Sequence, residues 1–539
     1  MWTYGLSVIG ILLSGYFLYG KFLENIFEVK NEDPVPSKDK FDNVDYVPTN
    51  KWVLLGHHFS SIAGAGPIVG PILAGLAFGW VPAIFWILIG SIFIGGVHDF
   101  ASLVISLRHE GRSVAEIASR YISKRAYYLL LTFIWLALMY VIAVFTDLAA
   151  DSFNSEPVVA QISLFYILVA LLFGPINYYK KLPLWLLTLV ALIIVGFAFP
   201  LSFKFQFLVV SKDVWVWVLL LYALVASILP VWLLLQPRDY LSSYLLYISV
   251  IVGVVGFFLS GSKISFEPVK TFTSPSLGPM VPFLFITIAC GAISGFHSLV
   301  ASGTTSKQLD NFKNSRFVAY GGMLLEGLVA AVALSTLMIL SSQNMSKGLT
   351  PAAIYAEGFA KYISIFGVKN DAGKALGLLI LSAFILTTLD TATRISRYVF
   401  QELIGKAGDK SFRVRVYSTL LSLILPVILL KARFRDPSGN LIPSWKIIWP
   451  IFGTTNQLLA ALVLTVIFVW ARKKLSKGQV IFVLPMVFML VMTVSALIWL
   501  IAKDLVIKSF TIVTVIAFLL LILAIVLSFE SLSVILRKK

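Results

Sequence analysis

Apolar residues fill this chain in stretches of about twenty, divided by short polar joints, from one end to the other. Continuous runs of that length are the signature of membrane-crossing helices. The runs show no alternation of period two, which speaks against a β-barrel. The bilayer leaves helices as the remaining way to pair every backbone group. The stretches fall at 2–20, 53–78, 81–107, 127–150, 158–174, 183–200, 214–236, 241–260, 280–302, 317–341, 373–398, 414–431, 446–471, 480–502 and 510–530. They predict an all-α polytopic membrane protein with about fifteen transmembrane helices and no soluble domain. The first, Trp2–Gly20, has no basic lead and no small-residue cleavage site after it, so it is expected to be a retained helix. The polar joint from Lys21 to Lys51 is mixed in charge and is expected to be a linker or cap. Ala352–Phe366 is a candidate interfacial helix.

Composition agrees. Of 539 residues, 59% are apolar and 13% are charged, against about 25% charged in soluble domains. The net charge of +17 would suggest nucleic acid in a soluble chain. Here basic loops orient helices and meet anionic lipid headgroups, so the bilayer and not a nucleic acid is the expected partner. Placing the C-terminus in the cytoplasm and the N-terminus outside puts about two thirds of the 43 Lys and Arg residues inside. Ser342–Asp371 becomes a long outer loop. The single cysteine, Cys290, has no internal disulfide partner and reads as packing. No G-x-x-x-x-G-K-[ST] loop is present, so transport would be driven by an ion gradient and not by a nucleotide.

The informative residues are those that lipid should exclude, since a carboxylate at a helix centre costs about 2.5–3.5 kcal/mol on insertion scales. Gly56–Pro71 holds His57, His58, Ser60, Ser61 and several Gly and Pro residues in one span. That content predicts a helix broken near Gly64–Pro67, exposing backbone groups able to bind ions. His98 and Asp99 follow Gly95-Gly96. Ile293–Lys307 carries Ser294, His297, Thr304 and Thr305. Leu386–Arg394 carries Asp390 one helical turn before Arg394, a spacing that predicts a pair. Glu326 lies inside its span. Trp449–Gln457 predicts another break, with amides beside it. At about 1.5 Å per residue, four of the five histidines and the carboxylates Asp99, Glu326 and Asp390 fall at one depth. That layer admits a proton or cation relay, a structural set of buried pairs, or a bound transition metal or haem. No His-Glu-x-x-His or cysteine-cluster signature supports the last.

The runs GHHFSSIAGAGPIVGP (56–71), GGVHDF (95–100), LLQPRDYLSSY (234–244), ISGFHSLVASGTTSKQ (293–308), LTTLDTATRISRY (386–398) and WPIFGTTNQLLAALVL (449–464) resemble the carbon starvation protein A (CstA) family, in order, from about Lys51 to Leu464. The resemblance implies a starvation-linked secondary transporter of the bacterial inner membrane for peptides or, in some relatives, pyruvate. It also implies the amino acid–polyamine–organocation superfamily and a LeuT-like core of two inverted five-helix repeats plus peripheral helices. On that implication residues 1–51 are a first helix and linker, 52–200 and 201–400 the two repeats, and 401–539 additional helices. The span 53–78 becomes core helix 1. The span 214–236 becomes core helix 6, broken at Ser227–Pro230, and 280–302 becomes core helix 8. The Trp449–Gln457 motif then falls outside the core.

The resulting expectation is an ion-coupled symporter, not an enzyme, with no cofactor beyond H⁺ or Na⁺. A substrate carboxylate would sit on N–H groups at Ala63, Gly64 and Gly66, with Ser60, Ser61 and Ser294 adding hydrogen bonds. His57, His58, His98, Asp99, His297, Glu326 and Asp390 are the proton candidates. Thr304 and Thr305, facing the Ser61–Gly64 backbone, are the sodium candidates. The rival classes are a His-rich membrane redox or metal-binding protein and a passive channel.

Overall fold

The computed structural model describes residues 1–180, 182–340, 349–409, 411–435, 441–443, 445, 451–475, 477–506 and 511–536. Its long helices are α1 (Trp2–Ile26), α2 (Lys51–Ala63), α3 (Gly66–Phe78), α4 (Trp80–Arg108), α5 (Lys124–Ser155), α6 (Pro157–Tyr179), α7 (Leu184–Lys204), α8 (Lys212–Ile228), α9 (Leu235–Leu259), α10 (Met280–Thr287), α11 (Gly295–Gly303), α12 (Phe312–Met338), α13 (Pro351–Ile363), α14 (Asn370–Leu403), α15 (Phe412–Lys431), α16 (Phe452–Lys474), α17 (Val480–Val506) and α18 (Ile512–Leu536). The chain is a multi-pass helical membrane protein. Among the described residues twelve helices are long and apolar enough to cross a bilayer, or thirteen if the bent pair α2–α3 counts as one.

The count of fifteen differs because two expected spans are divided. The 214–236 stretch stops as a helix at Ile228 and resumes at Leu235. The 280–302 stretch is the two short helices α10 and α11, parted by residues 288–294. Hydropathy averages over such breaks; the one expected at Ser227–Pro230 is present, and the one at 288–294 was not expected. The candidate interfacial helix is present as α13, capped by the Thr350 hydroxyl on Ala353 N–H. Residues 342–348 of the proposed outer loop lie outside the described residues.

Burial separates core from periphery. In their most apolar stretches α14 is 89% buried, α12 83% and α16 72%, whereas α1, α7 and α18 are each 28% buried. The outer helices turn large apolar side chains such as Leu18, Trp185, Phe197 and Leu519 outward, as a lipid-facing helix should. α16 is thus packed among other helices along most of its length.

The break between α2 and α3 follows from local chemistry. Asn50 caps the start of α2 by accepting Trp52 N–H. Gly64 then takes φ +42°, which side-chain-bearing residues avoid, and Pro67 restarts the helix within its first turn. Residues 288–294 press against this break. A Cβ on Gly66 would lie 2.5 Å from Cys290 Sγ, so only glycine admits the thiol there. Two π-bulges, at Ser91–Gly95 and Arg316–Tyr320, precede the Gly-rich turns of α4 and α12. Tyr320 OH lies 3.2 Å from Ile92 O and 3.3 Å from Gly15 O, tying α12 to the bulge of α4 and to α1.

Candidate functional site

The polar residues at one depth separate into two groups on either side of α2. Consecutive residues of a helix point about 100° apart, so His57 and His58 face different neighbours. Both are fully buried.

The His57 group is built from α2, α8, α9 and α14. His57 Nδ1 lies 2.7 Å from Asp239 Oδ2. Arg238 Nη1 donates to Asp239 Oδ1 (3.2 Å), Asp390 Oδ2 (3.2 Å) and Thr387 Oγ1 (2.9 Å). Tyr222 OH donates to Asp390 Oδ2 at 2.6 Å. Ser60 Oγ donates to Asp239 O at 3.0 Å, and Ser61 Oγ and Thr391 Oγ1 are 3.1 Å apart. Thr388 Oγ1 donates to Ser61 O at 3.3 Å. Among the described residues, no buried side-chain atom of His57, Arg238, Asp239, Asp390 or Tyr222 lacks a partner. Gln308 Nε2 lies 3.4 Å from His57 Nε2, and Gln236 Nε2 donates to Gln308 Oε1 at 2.7 Å. Gln236 in turn borders a cavity of about 320 Å³ lined by Val47–Asn50, Tyr178 and Trp232. A chain of amides thus joins His57 to one face of the molecule.

The His58 group is built from α2, α4, α11 and α12. His58 Nδ1 lies 2.8 Å from Thr305 Oγ1. The two oxygens of Asp99 are held by His98 Nδ1 (2.8 Å) and His297 Nδ1 (2.9 Å). His297 Nε2 is 3.2 Å from Glu326 Oε2, outside hydrogen-bond alignment. The Nε2 atoms of His58, His98 and His297 and both oxygens of Glu326 are buried with no hydrogen-bond partner.

The structure corrects several expectations. Asp390 pairs with Arg238, 152 residues away, and not with Arg394. Arg394 Nη2 instead donates to Ala226 O and Leu229 O, carbonyls at the end of α8, and its Nη1 donates to Asp45 at 2.8 Å. A buried helix has tertiary acceptors that outcompete a turn-to-turn pair. Thr304 and Thr305 do not face Ser61–Gly64. Thr304 Oγ1 donates to Val300 O and Thr305 meets His58, and Thr388 and Thr391 supply the hydroxyls near the break. Ser294 is engaged by Asn456, which also accepts Phe296 N–H at 3.1 Å and so caps α11. Gln457 Nε2 donates to Phe285 O at 3.1 Å. The described part of the Trp449–Gln457 motif therefore satisfies the broken 280–303 segment; Trp449 and Pro450 lie outside the described residues. Ala63, Gly64 and Gly66 stand at the break, and α3 starts with no side-chain cap.

Sequence reasoning quoted Arg238, Asp239 and Gln308 within its motifs but gave them no role, and it did not single out Tyr222. It also missed the linker. Asp45 accepts from Arg394 and from Arg397 Nη2 at 3.1 Å, and Val47 N–H and Thr49 N–H donate to Lys307 O and Gln308 O. Burial works to raise the Asp45 carboxyl, but the Arg397 and Arg394 guanidiniums overcome it and hold it well below the usual carboxylate range.

Comparison with known proteins agrees with this architecture. The profile of "Carbon starvation protein CstA" matches residues 2–354 and 341–496. The Escherichia coli peptide transporter CstA is 31% identical over 560 residues, covering 90% of this chain and 79% of the relative. A Helicobacter pylori peptide transporter CstA is 32% identical over 549 residues, covering 89% and 79%. The E. coli pyruvate/proton symporter BtsT is 31% identical over 591 residues, covering 92% and 81%. A solved Eremococcus coleocola manganese transporter shares the fold with a TM-score of 0.54 at 12% identity, over 92% of this chain and 99% of that one. With the matched profile running through both polar groups and all three broken segments, the chain belongs to the carbon starvation protein CstA family.

Proposed function

We propose that this chain is a proton-coupled, starvation-linked importer of small carboxylate-bearing nutrients, short peptides or pyruvate, in a bacterial inner membrane. One observation carries the reading: a single guanidinium, Arg238, faces two buried carboxylates, Asp239 and Asp390, beside His57. The next guanidinium on α14, Arg394, is committed to Asp45. In a low-dielectric interior the uncompensated charge is costly, and one proton on the His57–Asp239 pair balances it. Ser61 ties that pair to the α2–α3 break through Thr391 and Thr388. The open N-terminus of α3 suits a substrate carboxylate, so proton and substrate share one mobile element. The cavity bordered by Gln236 brings solvent to within two side chains of His57, on the side we assign to the cytoplasm, and is where the proton would leave.

The two-repeat core is also proposed, with a changed register. The second broken helix is α10–α11, which packs on the first break at Cys290 and Gly66. In each half a long helix after the break carries a π-bulge followed by paired glycines, Ser91–Gly96 in the middle of α4 and Arg316–Gly322 near the start of α12. This register brings α16 into the core, in keeping with its burial. If the 214–236 and 280–302 segments also cross, the termini lie on opposite sides, with the C-terminus cytoplasmic.

Uptake of labelled pyruvate and of a labelled dipeptide into proteoliposomes tests the function. A pH gradient, acid outside, is expected to drive accumulation, and a sodium gradient alone is not. His57→Gln is expected to lower pH-driven accumulation at least tenfold while substrate exchange at equal pH persists. Sodium-driven accumulation, or flux indifferent to either gradient, overturns the proposal. The sodium reading has less support, because the Thr304 and Thr305 hydroxyls are engaged elsewhere.

A further inference from the structure

The His58 side holds a donor set that the proton reading does not use. Cys290 Sγ, a ring nitrogen of His297 and a carboxylate oxygen of Glu326 all lie within 4.8 Å of one another, the one such group of three among the described residues. His297 and Glu326 are fully buried, and Cys290 is partly accessible. Both Glu326 oxygens and His297 Nε2 have no hydrogen-bond partner. A native interior rarely leaves that many polar atoms unserved, and three of them converge on one point.

We propose that Cys290, His297 and Glu326 form a binding site for one borderline-soft divalent transition-metal cation, of the zinc type. The 3.2 Å between His297 Nε2 and Glu326 Oε2 matches the edge of a tetrahedron, about 3.3 Å for ligands near 2.0–2.1 Å from a metal. His297 gives its Nδ1 to Asp99, which His98 holds from the other side. That carboxylate fixes the ring so that Nε2 points at the site, the usual outer-shell support of a metal-bound imidazole. One thiolate, one imidazole and one carboxylate select zinc-like ions over magnesium or calcium, which prefer oxygen alone. The thiol side abuts Gly66, so an ion reaches the site from the α2–α3 break, and its fourth position stays open. Among the described residues the ion pairs of the buried carboxylates Asp99 and Glu326 are with histidines alone; a divalent cation would balance the Glu326 carboxylate and the Cys290 thiolate. The site spans α11, α12 and the 288–294 loop, so a bound ion would clamp the second break.

Cys290 is the chain's single cysteine, so thiol labelling reads this site alone. The purified full chain, stripped with a chelator, is labelled with a maleimide with and without zinc chloride. Zinc is expected to slow labelling at least tenfold, magnesium to leave it unchanged, and elemental analysis to find one zinc per chain after desalting. Zinc K-edge absorption is expected to show one sulfur at about 2.3 Å. In Glu326→Gln the thiol should label as before without metal but lose its zinc protection, and in Cys290→Ser the sulfur signal should vanish with at least tenfold weaker zinc retention. No zinc retained by the unmutated chain, or equal protection by zinc in Glu326→Gln, overturns the site. Neither result bears on His57-dependent uptake, which rests on other residues.

Discussion

His57 and His58 sit side by side on α2, are equally buried, and look into groups organised in opposite ways. On the His57 side a permanent cation, Arg238, lies at the centre, and every buried polar atom around it has a partner. On the His58 side, among the described residues, no Lys or Arg pairs with Asp99 or Glu326, and His297 Nε2 and both Glu326 oxygens have no hydrogen-bond partner. The difference lies in what each group must recruit. A guanidinium with two carboxylates is one charge short and is completed by a proton. Two carboxylates among imidazoles and a thiol are completed by an added cation. Proximity in sequence and equal depth say nothing of this, because the distinction comes from α9, α11, α12 and α14.

The largest expected effect tests the fixed cation. Arg238→Met removes the one guanidinium between Asp239 and Asp390 and leaves two buried carboxylates facing each other. Breaking a buried pair in this way costs about 3–5 kcal/mol, read as a fall in the thermal unfolding temperature of detergent-purified protein. Adding Asp390→Asn removes the surplus charge, so the double variant is expected to regain most of that loss without regaining uptake. If Arg238→Met alone unfolds like the unmutated chain, the His57 side is not organised by its cation and the comparison breaks.

A smaller effect asks whether the same rule reaches the linker. Asp45 is the acceptor for Arg394 and Arg397 from outside the bundle. Asp45→Asn is expected to cost about 1–2 kcal/mol at neutral pH, since charge-assisted bonds exceed neutral ones but this carboxylate is partly open to water. The sign of its pH dependence follows from its depressed folded-state value. The contribution is complete above the ordinary carboxylate value of 3.8 and is lost only as pH falls below it, through the folded one. Hydrogen exchange of residues 44–49 should therefore stay slow from pH 7 to about 4 in the unmutated chain and be fast throughout in Asp45→Asn.

What the sequence made legible was position, and what it hid was partnership. The Gly64–Pro67 break could be read because glycine and proline act on their own backbone. A common depth for the histidines is what constant helical rise leads one to expect. Asp390 shows the limit: its spacing named Arg394, but α14 is buried nearly all round, and the guanidinium that meets it comes from α9. Asn456 shows the same from the other side. Its motif stood out as unusual in a span, yet its bonds go to Ser294 and Phe296, about 160 positions earlier, where no local rule reaches. The break expected at Ser227–Pro230 is present, because its proline marks it, whereas the break at 288–294 carries no proline at all and left no local signal.

The smallest expected effect decides most about the comparison. Glu326→Gln keeps shape and volume and removes a buried charge whose two oxygens have no hydrogen-bond donor. On the His57 side removing a charged partner is costly because another charge is left behind. Here what is left is His297, still held through Nδ1 by Asp99, and an uncharged amide is cheaper to bury than a carboxylate. The change in stability without metal is therefore expected to lie within about 1 kcal/mol and to favour the variant, measured by the same thermal unfolding after chelation. Adding zinc should raise the unfolding temperature of the unmutated chain and leave the variant where it was, because a ligand stabilises only the form that binds it. A loss comparable to that of Arg238→Met would mean that the His297–Glu326 ion pair already holds the folded protein together, and the contrast between the two faces of α2 would fall with it.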